Sequence, residues 1–140
     1  AGEESGGYAF RGSIPERDGI LSGMLILDLM VKTGKSLSQL IHSLRTKTGP
    51  YYFNRCDLSF DSYQRQSISE RVQISNPTSL AGRLVTGRDT SDGLKFLLDG
   101  GYWLLIRFSG TEPLLRIYAE GSSPTEALEL LQAGKYISGL

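Results

Sequence analysis

Trp103-Leu-Leu-Ile-Arg-Phe-Ser-Gly-Thr-Glu-Pro-Leu-Leu-Arg-Ile-Tyr-Ala-Glu120 contains two apolar runs, Trp103 to Ile106 and Leu114 to Ala119, around a short polar turn, Ser109-Gly-Thr-Glu-Pro113. Each run has strand length and bulky apolar side chains, so the pair reads as two antiparallel strands. An arginine sits near each inner end. The simplest register for a six-residue connection sets Arg107 opposite Leu114 and Leu105 opposite Arg116. The alternation of side chains along a strand then puts both arginines on one face of the sheet. Between them lie the hydroxyls of Ser109 and Thr111 and the amides freed by Gly110. Backbone amides, hydroxyls and guanidinium forks converging on one spot form a receptor for an oxyanion, phosphate above all. The competing reading is ordinary: such a turn joins many strand pairs, and arginines at strand ends are often simply solvated.

The bulk composition narrows the partners. The chain has 140 residues, enough for one compact domain and a piece of a second. Its 15 basic and 15 acidic side chains give a formal net charge of zero. A nucleic-acid binder carries a basic excess, because neutralising phosphates drives its affinity, so that class is disfavoured. A small anionic ligand needs only a local positive site. Cys56 is the single cysteine, which excludes an internal disulfide and a cysteine-based metal site and suits a reducing, cytoplasmic setting. No signal peptide is expected at the acidic, glycine-rich start. The most apolar stretch, Gly19 to Val31, carries Asp28 and falls short of the roughly 18 residues of a membrane span. The absence of an initiator methionine suggests a piece of something longer.

Along the chain, residues 1–13 read as a glycine-dense loop. Asp18 is the expected N-cap of a helix over 19–33, which Gly34 stops. The apolar positions of that helix cover most of its circumference, so it expects burial on several sides. Ser36 caps a second, amphipathic helix ending near Gly49-Pro50, with His42 off the apolar stripe and solvated. A strand over 51–60, a weak helix over 61–73 and short strands at 84–86 and 94–98 follow, with Asp99-Gly-Gly101 as a hairpin turn. Ser122-Ser-Pro-Thr125 opens a last helix, whose expected buried stripe is Ala127, Leu128, Leu130, Leu131 and Ala133. Helices, then a meander of strands, then a closing helix make an α+β layer.

Arg107-Phe-Ser-Gly-Thr-Glu-Pro113, with Arg116 on the next strand, closely resembles the phosphate-binding loop in the last domain of the α-D-phosphohexomutases. That superfamily includes phosphoglucomutase, phosphomannomutase, phosphoglucosamine mutase and phosphoacetylglucosamine mutase. Gly2-Glu-Glu-Ser-Gly6 resembles the sugar-binding loop near the end of the third domain. There the Glu and Ser of Gly-Glu-x-Ser-Gly hydrogen-bond two adjacent sugar hydroxyls, a pairing that suits a vicinal diol. By match these are Glu3 and Ser5. Many phosphomannomutase-type members carry histidine two residues after that serine, where this chain has Gly7. Phosphoglucosamine mutases usually have Gln at the position of Glu4, so this loop leans towards a phosphoglucomutase or phosphomannomutase.

The resemblance implies a fold, a division and a chemistry. The fold is an antiparallel four-stranded sheet with helices on one face, like the TATA-binding protein. The division is 1–35 as the tail of the preceding α/β domain and 36–140 as the C-terminal phosphate-binding domain. The family moves a phosphoryl group between the 1 and 6 oxygens of a hexose through a bisphosphorylated intermediate, using an active-site phosphoserine and Mg2+. Arg107, Ser109, Gly110, Thr111 and Arg116 would hold the phosphate that is not transferred. The phosphoserine loop, usually Thr-Ala-Ser-His-Asn-Pro, and the Asp-Gly-Asp-x-Asp-Arg magnesium loop are absent from these residues. No catalytic residue and no metal ligand is therefore expected here. Asp89, Asp92 and Asp99 read as turn formers. The missing N-terminal domains and a hexose phosphate are the expected partners, with neither nucleic acid nor membrane. The alternative is a non-catalytic TATA-binding-like module that binds nucleic acid or a protein partner.

Overall fold

The computed structural model describes residues 1–3 and 6–140, which form two compact units, 1–49 and 50–140. The units meet at Gly49–Pro50, and the core of the second unit is built from its own residues, all beyond residue 50.

In the first unit, a bridge between Gly2 and Tyr8 folds the opening loop back on itself. Helix α1, Gly19–Thr33, starts where the Asp18 carboxylate accepts a hydrogen bond from the Leu21 amide (2.8 Å). It stops at Gly34, whose φ of 65° lies in the left-handed region that glycine enters at no steric cost. Helix α2, Leu37–Thr48, opens with a capping box between Ser36 and Gln39. None of the α1 side chains is buried: Ile20, Met24, Leu27 and Val31 are all well exposed.

In the second unit, six strands form a fully antiparallel sheet in the order β1-β6-β5-β4-β3-β2: β1 Tyr52–Ser59, β2 Ser79–Leu80, β3 Arg83–Asp89, β4 Leu94–Leu98, β5 Trp103–Phe108 and β6 Leu114–Gly121. Helix α3, Arg65–Ile74, follows a single 3-10 turn, and α4, Pro124–Ser138, closes the chain. The class is the expected α+β layer, but the sheet has six strands rather than four. The addition lies at the β2–β3 edge. A two-residue turn there places Ala81 and Gly82 both at positive φ (47° and 79°), the geometry that matches the twist of a tight hairpin. Ala-Gly carries none of the usual Asn or Asp signal for such a turn, so nothing local in the sequence marks the short β2.

One face of the sheet makes the core. Phe96, Leu104, Ile106, Leu115 and Ile117 point to it and are buried, together with Ile68 and Val72 of α3 and Leu130 and Leu131 of α4. Helix α4 lies against β6, β1 and β5. It comes close because Gly134 has no side chain: a Cβ there would stand 2.6 Å from Ile117 Cγ2. In the expected buried stripe of α4, Leu128 turns out to be exposed, while Gly134 and Ser138 are buried instead.

At the far end of the sheet, the Arg83 guanidinium donates to the Glu126 carboxylate and lies 4.3 Å over the Tyr102 ring. The hydroxyl and amide of Ser122 donate to the same carboxylate. This clamp ties β3 to the first turn of α4.

Candidate anion site at the β5–β6 connection

The register differs from the expected one by two residues. Arg107 pairs with Arg116, Ile106 with Ile117 and Phe108 with Leu115. The Ser109 amide extends the ladder by donating to Leu114 O (2.8 Å), which leaves a four-residue crossing, 110–113. A slip of two residues leaves every side chain on the same face. Both arginines therefore still share one face, and they now stand directly across from each other. The core residues on either side of them point the other way, so this is the face turned away from α3 and α4.

Carboxylates surround the two cations. Asp57 lies opposite Arg116 in the β1–β6 ladder. Its Oδ2 is 3.9 Å from Arg116 Nε, and its Oδ1 is 3.1 Å from Arg55 Nε. Glu112 Oε2 is 3.7 Å from Arg116 Nη2. On the other side, Asp92 Oδ1 is 3.1 Å from Arg107 Nε. The Asp92 turn reaches Arg107 because Gly93 follows it: at φ 97° a Cβ would sit 2.6 Å from Ile106 O and 3.1 Å from Arg107 Cβ. All of these groups are partly exposed, so the ion pairs are solvent-screened and weak. Arg116 Nε and the Tyr118 hydroxyl, neighbours along one face of β6, are buried and without a hydrogen-bond partner.

The loop residues gather elsewhere. Ser109 is buried, and its hydroxyl accepts from the Thr111 amide (3.4 Å). Ser109, Gly110 and Thr111 line a cleft of about 220 Å3 with Glu112, Ser62 and Arg65. The Phe60 amide donates to Pro113 O (3.2 Å), which fixes the end of the loop to the end of β1. The expected phosphate residues thus fall into two sets, Ser109 to Thr111 on the cleft and Arg107 with Arg116 on the sheet face away from the core. Nothing in the sequence marks Arg55, Asp57 or Arg65 as neighbours of this site, and Asp92, expected as a turn former, also pairs with Arg107. Only strand pairing brings Arg55 and Asp57 next to Arg116, and only the packing of α3 brings Arg65 to the loop.

Of the expected sugar-binding pair, Ser5 lies outside the described residues. The Glu3 carboxylate accepts from Arg17 Nη1 (3.1 Å), and the Glu3 amide donates to Gly7 O (2.9 Å). Arg17 fills the space beside Gly7, where a Cβ would meet its Cδ at 2.6 Å. Glu16, hydrogen-bonded to the Arg17 amide and guanidinium, has its carboxyl held below the usual glutamate range. Among the described residues no group of three or more His, Cys, Asp or Glu side chains could hold a metal ion. Among the described residues no helix is long and apolar enough to cross a membrane.

Two family models match. Residues 68–134 match the phosphoglucomutase/phosphomannomutase C-terminal domain, and residues 1–48 match the alpha/beta/alpha domain III of the same proteins. A phosphoglucomutase/phosphomannomutase of Thermococcus kodakarensis is 34% identical over 133 residues, covering 95% of this chain and 27% of the relative. Phosphoglucosamine mutases of Methanocaldococcus jannaschii and Methanococcus aeolicus are 34% and 35% identical, covering 95% of this chain and 28% and 27% of their own lengths. The chain spans a little over a quarter of the curated relatives it matches. With two models of one family in their proper order and relatives matched along nearly its whole length, the chain belongs to the phosphoglucomutase/phosphomannomutase family.

Proposed function

We propose that these residues are the substrate-holding end of a phosphohexomutase, an intramolecular phosphotransferase that interconverts hexose 1-phosphate and hexose 6-phosphate. The first unit serves as the tail of its third domain and the second as its C-terminal domain. The observation that carries this reading is the Arg107–Arg116 pair beside Ser109-Gly110-Thr111. Like charges placed directly opposite each other in a ladder are destabilising. A dianion gripped by both guanidinium groups, and by the donors of the loop, turns that repulsion into binding.

In such an enzyme these residues hold the phosphate that does not react, in either of two substrate orientations, while chemistry proceeds at the other end. Positioning of this kind is the main contribution a protein makes to phosphoryl transfer. A magnesium ion would polarise the reacting phosphoryl group. The described residues do not offer it a ligand set, so no step here runs through it. Glu3 and Ser5 would accept and donate hydrogen bonds to adjacent sugar hydroxyls. The working partners are then a hexose phosphate, a hexose 1,6-bisphosphate intermediate and the other domains of the same protein, in the cytoplasm. The relatives named by the matches are hexose-phosphate mutases, and nothing favours a nucleic-acid or protein-binding module.

The test is calorimetric titration of the chain with glucose 6-phosphate and glucose 1-phosphate. Both are expected to bind and plain glucose to bind far more weakly. Arg107→Ala should weaken both about ten- to a hundredfold, the value of a charge-assisted contact. Equal affinity of Arg107→Ala and the unaltered chain removes the arginine from the site. The chain by itself is expected to show no mutase turnover, and measurable interconversion would overturn that expectation.

A further inference from the structure

The cleft beside the loop contains a cation that the phosphohexomutase motif does not include. Of the five residues expected to hold phosphate, only Ser109, Gly110 and Thr111 line this cleft. The cation among its lining residues is Arg65, at the first position of α3, with the Ser62 hydroxyl one turn before it. At about 220 Å3 the cleft is several times the roughly 30 Å3 of a water molecule, which is room for a phosphoryl group.

Arg65 is held by a cation–π contact. Its guanidinium lies 4.6 Å over the ring of Phe108, and Phe108 is held edge-on against Phe60 with the ring centres 5.6 Å apart. A guanidinium held by a cation–π contact still has N–H groups with which to grip an oxyanion. Such a group also loses less conformational freedom on binding than a free arginine does. Glu112 contributes the opposing charge in the cleft, and its carboxylate faces Arg116 Nη2.

We infer that Arg65 is a third cation of the anion site, contacting the substrate phosphate from the helix side while the loop donors hold it from the sheet side. This rests on the reading of the loop as a phosphate receptor and adds a residue to it. The phosphate then sits where Ser109 to Thr111 line the cleft, with Arg107 and Arg116 supplying charge from the strand ends.

The test is the affinity of the chain for glucose 6-phosphate in four forms: unaltered, Arg65→Ala, Arg65→Lys and Arg107→Ala. Far-UV circular dichroism checks that each is folded. Arg65→Ala is expected to bind about tenfold more weakly, with Arg65→Lys in between because it keeps the charge but loses the fork. If Arg65→Ala binds like the unaltered chain while Arg107→Ala binds more weakly, the inference is wrong and the loop reading stands. If the unaltered chain does not bind, or if none of the arginine variants differs from it, the loop reading fails and Arg65 loses its role with it.

Discussion

Arg107 and Arg116 face each other directly across the β5–β6 ladder, each partnered by a carboxylate on its outer side, Asp92 for Arg107 and Asp57 for Arg116. Two like charges in that position cost stability unless something neutralises them. Arg107→Gln is therefore expected to leave thermal stability unchanged or slightly raised in phosphate-free buffer. Adding phosphate should then raise the melting temperature of the unaltered chain more than that of the variant, since a ligand stabilises the fold it binds. Thermal unfolding with and without 10-fold steps of phosphate, on the order of any such titration, reads both effects.

Glu112 turns its carboxylate towards Arg116 Nη2 from within the loop. It occupies the kind of position that a bound anion would take, so the two compete. Glu112→Gln is expected to tighten glucose 6-phosphate binding about two- to fivefold, a modest gain because the pair is exposed and screened. Weaker binding would show that the carboxylate orients the arginine and does not compete for it.

The Arg83–Glu126 clamp sets a dependence on pH. Burial pushes the Glu126 carboxyl up, but the hydrogen bonds from Arg83 and from the hydroxyl and amide of Ser122 outweigh it and hold the carboxyl below the ordinary glutamate value. A group lowered in the folded state stabilises the fold at pH above its unfolded value, about 4.3. That contribution fades as pH falls through the lower folded value. Glu126→Gln is expected to cost about 2–3 kcal/mol near pH 7, because it removes one partner of a mostly buried charged pair. Denaturant unfolding at pH 7 and below pH 4 checks this, and the gap between variant and unaltered chain should shrink at the lower pH.

Gly134 sets how closely α4 lies on the sheet. A Cβ at that position meets Ile117 Cγ2 at 2.6 Å and Leu104 Cδ1 at 3.3 Å. Gly134→Val is expected to cost about 1–3 kcal/mol through overpacking, although most residues favour a helix interior more than glycine does. A variant as stable as the unaltered chain would mean that the helix can lift without loss.

Local chemistry explains which parts of this structure could be read in advance. Asp18, Gly34 and Ser36 mark the ends of α1 and α2 because caps depend on neighbours within a few residues. The strand Leu94–Leu98 and the helix after Ser123 were legible for the same reason. Strand register was not. A shift of two residues keeps the apolar pattern intact, so nothing in the sequence separates Arg107 opposite Leu114 from Arg107 opposite Arg116. The candidate site was legible only within one hairpin, from Arg107 to Arg116. Asp57, Asp92 and Arg65 come from three distant segments, and pairing and packing alone bring them near.

Titration of the 15N-labelled chain with glucose 6-phosphate, following the amides of Gly110 and Thr111, is the decisive test of a phosphate ester held by the connection between β5 and β6. Saturable shifts of both amides are expected, absent when plain glucose is added and strongly reduced in Arg107→Ala. Amides that stay still while glucose 6-phosphate is raised to high concentration would contradict it.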